Sequence, residues 1–216
     1  MKISPVVVAL SLVFAASSRP VRAQDPPPRI GPIVLDLHAT VPRFPSDSEG
    51  LAASRELPLA ELPGTGLGGQ LGLHLYFFKF RSVTFGIGGE AVVSRAKQTP
   101  LEGATGVHAV TETFRSLGSQ LSLNFGSGTG WSYLSGGIGR SNWAVYRDDV
   151  GSSDADGEVL KTLNYGGGAR WFAKSHLAFS FDVRFYALNP GSSFEGRVGS
   201  PRTRFMTIGA GISVKP

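Results

Sequence analysis

Histidine, serine and the carboxylates are the side chains of this sequence that could perform chemistry, and they are thinly spread. The nearest approach to a nucleophile beside a base is the segment SHLAFS, which holds Ser175, His176 and Ser180. Such a pair could hydrolyse or transfer an acyl group if a third residue oriented the histidine. His176 lies at a short turn and shares a face with polar residues, away from any apolar substrate. The sequence therefore predicts no catalytic site.

Motifs for cofactors and metals are equally weak. The glycine-rich segments 64–69 and 126–131 resemble phosphate-binding loops, but neither is followed by a helix, which such a loop requires. The four histidines show no spacing of the His-Glu-x-x-His kind. The acidic run 148–158 lacks the regular spacing of a calcium loop, which favours a solvated loop tip over a site for divalent ions that bridge lipid headgroups. We expect neither a cofactor nor a bound metal.

The N-terminal residues have the organisation of an export signal. Lys2 precedes an apolar run at 6–16, and Val21-Arg22-Ala23 forms a small-x-small cleavage site before Gln24. The apolar run is too short to cross a bilayer as a helix. The predicted division is a signal peptide at 1–23, a proline-rich segment at 24–31 and one folded domain at 32–216.

Charge and cysteine content narrow the classes of partner. The formal net charge is +5, but Lys2, Arg19 and Arg22 belong to the predicted leader, so about +2 remains on the exported chain. The remaining cations are scattered, without a basic run that alternates with aromatic residues, so we expect no nucleic-acid partner. The chain has no cysteine, so disulfides cannot stabilise it.

Eight segments alternate apolar and polar residues with a period of two, which is typical of β-strands. No convincing helix lies between them, and the segment GGIGR at 136–140 suggests a bulge or kink. The predicted strands are 32–42, 66–78, 82–94, 110–125, 130–146, 159–172, 177–188 and 203–215.

The connections between these segments alternate in length. Those near residues 77–82, 125–130 and 172–176 are short, and the other four are long and polar. Short turns at one end and long loops at the other predict an all-β, eight-stranded antiparallel up-and-down barrel. Such a barrel has an interior just wide enough for side chains or one small ligand.

The polar face of the strands is the better candidate for the interior. It consists mostly of Gly, Ser, Thr, Asn and Gln with isolated charges, whereas a surface in water normally carries more Lys and Glu. Charges inside a narrow lumen must pair, which predicts a rigid plug; the alternative is a gate whose ion pairs open a pore. The predicted polar network of the lumen is Asp36, His38, Gln70, His74, Glu90, Gln120, Arg170, Asp182 and Arg184.

Strand length and aromatic residues favour a membrane around the outer face. Several segments have 11 residues or more, and a strand that crosses a bilayer needs about 9 to 11. Aromatic residues collect near both ends of the strands, as in the two interfacial girdles of membrane barrels. The predicted lipid-facing girdles are Phe77, Phe125, Trp131 and Trp171 at the short-turn end, with Trp143 and Phe185 at the loop end.

The leader, the unequal loops and the strands GGGARW, AFSFDVRFY and TIGAGISV together resemble the small eight-stranded outer-membrane barrels of the OmpA and OmpX type. This resemblance implies a Gram-negative outer membrane, with outer-membrane lipids including lipopolysaccharide and the barrel-assembly machinery as partners. It also implies a transmembrane β-barrel at 32–216, and we expect a monomer.

The function predicted from these observations is non-enzymatic. We expect the external loops to act, by surface contact with an unidentified extracellular ligand or by supporting membrane integrity, above a plugged polar lumen. Three alternatives stay open: an acyl hydrolase or transferase that modifies membrane lipids, a small gated pore, and a soluble lipocalin-like carrier of a hydrophobic ligand.

Overall fold

The computed structural model describes residues 32–100, 106–126, 129–151, 156–193 and 198–216. The predicted signal peptide at 1–23 and the proline-rich segment at 24–31 lie outside these residues. Among the described residues, no helix has the length and hydropathy needed to cross a membrane.

The strands form one closed antiparallel barrel in which each pairs with its neighbours along the chain and the last pairs with the first. The closing pair places Leu37 opposite Ile212. The predicted fold class is therefore confirmed. The strands are β1 (Ile33–Arg43), β2 (Gly66–Phe80), β3 (Val83–Gln98), β4 (Val110–Phe125), β5 (Gly130–Arg147), β6 (Gly157–Lys174), β7 (Leu177–Leu188) and β8 (Thr203–Val214).

The first long loop contains a helix that the sequence analysis missed. Helix α1 (Glu49–Ser54) begins at Ser48, whose hydroxyl accepts a hydrogen bond from the Leu51 amide, and a single 3₁₀ turn follows at Leu59–Glu61. A six-residue helix is too short to show periodicity, and it is held by burial of Leu51 rather than by propensity.

The predicted kink at 136–140 is wrong. Strand β5 keeps a continuous register through this segment with both neighbours. The register shifts instead near the short turns, between Tyr76 and Phe78 and between Phe172 and Lys174. There the extra residue lets the strand bend into the turn.

The two faces of the barrel differ in chemistry. The outer face exposes leucine, isoleucine, valine and phenylalanine along the strands; Leu67, Leu117 and Ile138 are 74%, 70% and 70% exposed. The inner face buries the polar and charged residues of the strands. Inward glycines make room for large inner side chains: a Cβ at Gly86 would lie 2.6 Å from the Tyr76 ring.

The interior has three layers. The turn-end cluster consists of Val34, Tyr76, Trp131, Phe172 and Ala178. The polar layer, described below, lies above it. The loop-end cluster, against which Leu57 of the first loop also packs, consists of Phe44, Leu51, Ala52, Leu62, Val92, Ala96, Val110, Phe114, Trp143, Val145, Leu160, Tyr186, Leu188 and Phe205.

Candidate functional site in the barrel interior

The lower half of the polar layer is built on an ion pair between β1 and β6. The Arg170 guanidinium donates to both Asp36 carboxylate oxygens, with Nε–Oδ1 and Nη2–Oδ2 distances of 2.9 and 2.7 Å. Ser213 donates a further hydrogen bond to the same carboxylate. The guanidinium also lies over the Tyr133 ring, 4.0 Å from its centroid. Both Asp36 oxygens thus have protein hydrogen-bond partners.

The upper half is built on Arg184. Its Nε lies 2.8 Å from Glu90 Oε2, and its Nη2 donates to Asp182 Oδ2 at 3.1 Å. Tyr186 donates to the other Glu90 oxygen at 2.6 Å, and Tyr133 donates to Asp182 at 2.7 Å. Each carboxylate therefore has a guanidinium and a phenol as partners.

Amide side chains connect the two halves. Gln70 and Gln120 both donate to Glu90 Oε2, at 2.8 and 3.0 Å. The Gln120 side-chain oxygen lies 3.1 Å from His74 Nε2, and His74 Nδ1 lies 3.4 Å from Asp36. A continuous polar path thus runs from Asp36 to Glu90 across several strands.

All nine polar residues predicted for the lumen are buried in the interior, and eight of them belong to the network formed by this path and the two ion-paired arginines. The exception is His38, whose Nε2 lies 2.7 Å from the hydroxyl of Ser180 while its Nδ1 has no partner. Buried charges cost several kcal/mol each unless they are paired, so a network of this kind holds its strands in one arrangement.

The three residues of SHLAFS do not form one site. His176 lies exposed at the turn with its Nδ1 3.4 Å from the Ser175 hydroxyl, whereas Ser180 points into the lumen towards His38. Residues 38 and 180 are 142 positions apart, so no local motif could have indicated this pair. It is enclosed by the barrel wall.

The predicted girdles need correction at two tryptophans. Trp131 and Trp143, predicted to face lipid, are 2% and 0% exposed and lie inside the barrel. The odd-numbered residues of β5 point inwards because Leu134 and Ile138 occupy its outer face. The even numbers of Leu134 and Ile138 already indicate that the odd-numbered tryptophans lie on the opposite, inner face of β5.

The other predicted girdle residues lie on the outer face. Phe77 and Trp171 are exposed near the short turns. Phe125 is half-buried near the short turns. Phe185 is half-buried near the loop end of β7, where its ring stacks on Tyr165 with centroids 5.4 Å apart.

The first loop covers the lumen through contacts that sequence reasoning missed. Arg55, directly after α1, forms a 3.0 Å ion pair with Glu158 and lies 5.6 Å from the centre of a Trp143 ring. Trp143 in turn donates its indole N–H to buried Glu112 at 2.7 Å. These partners are scattered along the chain, so no sequence motif joins them.

A second contact ties the 3₁₀ turn to the next loop. The buried Glu61 carboxylate accepts the His108 amide at 2.9 Å, and the His108 ring lies 3.3 Å from the same oxygen. The first loop is therefore anchored to two other loops, those that follow β3 and β5.

In the described part of the chain, no group of three or more histidine and acidic side chains could hold a metal ion. The acids at the start of the acidic run are paired: Asp148 with Lys97 at 2.6 Å and Asp149 with Arg147 at 2.7 Å. The hydrogen bond from Lys97 lowers the pKa of Asp148 below its ordinary value. Residue 154 of that run lies outside the described residues.

No protein-family model matches the sequence, and no curated protein matches it either. Solved structures do match the fold. Neisserial surface protein A (NspA) is similar over 85% of this chain and 97% of its own, with 13% identity and a TM-score of 0.55. The attachment invasion locus protein Ail of Yersinia pestis, solved with the heparin analogue sucrose octasulfate, covers 85% and 98%, with 16% identity and a TM-score of 0.46.

At such low identity the likeness establishes the fold alone. The chain has the closed architecture of the small eight-stranded β-barrels, and this is the fold that its resemblance to the OmpA and OmpX type implied.

Proposed function

We propose that this chain is an integral outer-membrane protein of a Gram-negative bacterium that acts, without catalysis, through its external loops. One observation carries the proposal: the apolar residues of a closed barrel point outwards and its ion pairs point inwards. Monomeric soluble proteins rarely expose contiguous apolar patches larger than a few hundred Å². A band of Leu, Ile, Val and Phe around the whole barrel is stable only in a bilayer.

The same observation argues against a soluble carrier of a hydrophobic ligand. A lipocalin-like carrier needs an apolar cavity, and this lumen is filled by arginines, carboxylates and aromatic rings. The proposed partners of the barrel are therefore outer-membrane lipids, including lipopolysaccharide, and the barrel-assembly machinery. The loops would contact an extracellular ligand, and the proposed state is a monomer.

The arrangement of the interior supports a plug rather than a pore. Apolar clusters lie at both ends of the lumen, and ion pairs fill the middle. In a planar bilayer we expect the purified protein to give no ohmic steps. We also expect no conductance steps from Arg55→Ala, because the polar layer would still block the lumen. Regular conductance steps in either protein would support the gated pore.

The enzyme alternative has less support, because the shorter of the two Ser–His contacts in the described residues, Ser180 with His38, is enclosed in the lumen. Mass spectra of membrane lipids from cells with and without the protein test this point. Identical acyl patterns are expected, and an altered acyl chain that depends on Ser180 would overturn the non-enzymatic proposal.

The main test is fractionation of producing cells, followed by gels of unboiled and boiled outer membranes. We expect the protein in the outer-membrane fraction and a change of apparent mass on boiling, since a closed barrel resists detergent until heated. Recovery in the soluble periplasm with no change on boiling would refute the membrane proposal.

A further inference from the structure

The charges of the strands are divided between the two faces of the barrel. Every carboxylate of the described strand residues points inwards, and the outer face near the loop end carries cations. The inward carboxylates are Asp36, Glu90, Glu112, Glu158 and Asp182, and the outward cations of β3 to β6 are Arg95, Lys97, Arg115, Arg140 and Lys161.

Two of these cations face each other directly. Arg140 on β5 and Lys161 on β6 form one register pair, which places their Cβ atoms about 5 Å apart. Arg115 is diagonal to Arg140, since its own partner on β5 is Asn142. Within the described residues, Arg115, Arg140 and Lys161 make no ion pair. Like charges in this position destabilise a sheet unless an anion from outside lies between them.

The height of this pair corresponds to a lipid headgroup layer. Arg140 is ten residues from the Gly130 end of β5, and Lys161 is thirteen from the Lys174 end of β6. A strand tilted by about 40° rises roughly 2.5 Å per residue along the barrel axis, so both lie roughly 25 to 33 Å above the short turns. The apolar band of such barrels is about 25 Å tall. The cations therefore lie at its outer edge.

The pair also borders a cleft of about 540 Å³ on the outer surface. The polar side of this cleft is formed by Arg140, Lys161 and Asn189, and its apolar side by Ile138 and Leu163, both exposed. Cations above an apolar wall match the order of groups in a lipid, with a phosphate above an acyl chain.

We propose that this cleft binds the phosphate of an anionic lipid of the outer leaflet. Arg140 and Lys161 would donate charge-assisted hydrogen bonds to the phosphate oxygens, and the adjoining acyl chain would lie along Ile138 and Leu163. Arg115 adds a third positive charge from the next strand. This inference rests on the proposed membrane location, and it adds the lipid group that is recognised and the residues that recognise it.

The test compares three forms of the full exported chain, refolded in a neutral detergent with phosphatidylglycerol added and analysed by native mass spectrometry. The forms are the wild type, Arg140→Gln with Lys161→Gln, and a matched control, Lys79→Gln with Lys174→Gln. The control removes two exposed cations from the opposite rim. Two lost cations should weaken retention of the lipid about tenfold in the first variant, and the control should behave as the wild type.

The unfolding temperature is an independent measurement, and it separates loss of lipid binding from a folding defect. In neutral detergent the Arg140→Gln, Lys161→Gln protein should unfold at the same temperature as the wild type or higher, because the repulsion is gone. Phosphatidylglycerol should then raise the unfolding temperature of the wild type and of the control more than that of this variant.

Equal retention of phosphatidylglycerol by all three forms would overturn the proposal, as would equal retention of an uncharged diacylglycerol by the wild type. Displacement of the lipid by millimolar inorganic phosphate would show a site for free phosphate and would likewise overturn the lipid assignment. Lipid binding is measured in detergent and does not depend on the fractionation of cells. If the protein is found in the outer membrane but all three forms retain the lipid equally, only the proposed lipid site is refuted. If the protein is found in the soluble fraction, the proposed function itself is refuted.

Discussion

The polar layer and the loop-end cluster fill the same lumen, but they are held by different forces. In the polar layer, Arg170 and Arg184 join strands through charges whose desolvation must be offset by pairing. In the loop-end cluster, rings such as Phe114 and Phe205, 4.8 Å apart, pack edge to face, and α1 closes them from above. Removal of one partner therefore leaves an unpaired buried charge in the polar layer, whereas truncation of a side chain in the loop-end cluster leaves only a cavity.

The largest effect is expected in the polar layer. Arg170→Met removes the guanidinium from Asp36 and should lower the free energy of unfolding by about 3–5 kcal/mol, because the buried carboxylate loses the guanidinium that pairs with both of its oxygens. Urea unfolding of the refolded barrel, followed by tryptophan fluorescence, measures this loss.

The double variant Asp36→Asn with Arg170→Met is the control for this prediction. It should lose less than Arg170→Met alone, since no charge is left unpaired. A loss below about 1 kcal/mol in the single variant would mean that the pair behaves like an exposed one.

A smaller and more local effect is expected in the loop-end cluster. Leu51→Ala should cost about 2 kcal/mol, at the low end for a buried leucine, because α1 can shift towards the cavity. Amide exchange should quicken in residues 44–65, with the change of apparent mass on boiling retained. Leu59→Ala, at a half-exposed position of the 3₁₀ turn, is the matched control. Faster amide exchange throughout the strands would contradict the expectation that the first loop can loosen without the barrel.

The space left by one inward glycine tests how tightly the polar layer is packed, in contrast to the cluster into which α1 can shift. A Cβ at Gly168 would meet the Phe181 carbonyl oxygen and would lie 2.8 Å from the Tyr133 hydroxyl, which donates to Asp182. Gly168→Ala should therefore cost about 1–3 kcal/mol. Gly130→Ala, where the nearest atom is 3.9 Å away, should leave the urea midpoint unchanged. Equal midpoints for both variants would show that the layer tolerates displacement of Tyr133.

The smallest effect is expected outside both regions, at the exposed Lys97–Asp148 pair. The pKa of Asp148 is lowered in the folded state, so its contribution is complete above the ordinary aspartate pKa and is lost as the pH falls through the lowered value. Asp148→Asn should be less stable than the wild type at pH 7 by under about 1 kcal/mol, and the difference should vanish towards pH 2. A difference that persists at pH 2 would exclude the charge as its cause.

Most of the fold followed from local patterns. Period-two alternation located all eight strands to within a few residues, and loop lengths indicated the up-and-down order. Helix α1 was missed because its six residues are held by the burial of Leu51 in the lumen. The prediction that Trp131 and Trp143 face lipid is wrong because an aromatic residue at a strand end can face either side, and the outward Leu134 and Ile138 set the opposite phase of β5.

Local alternation specifies the two faces of each strand and the kinds of residue that share a face, because alternation is a property of neighbouring residues. The partners across the lumen follow from the closed barrel alone: Arg170 pairs with Asp36 across 134 residues, and Ser180 contacts His38 rather than the local His176. A contact across the lumen depends on the register of every intervening strand pair. That register is settled by barrel closure and not by any local segment.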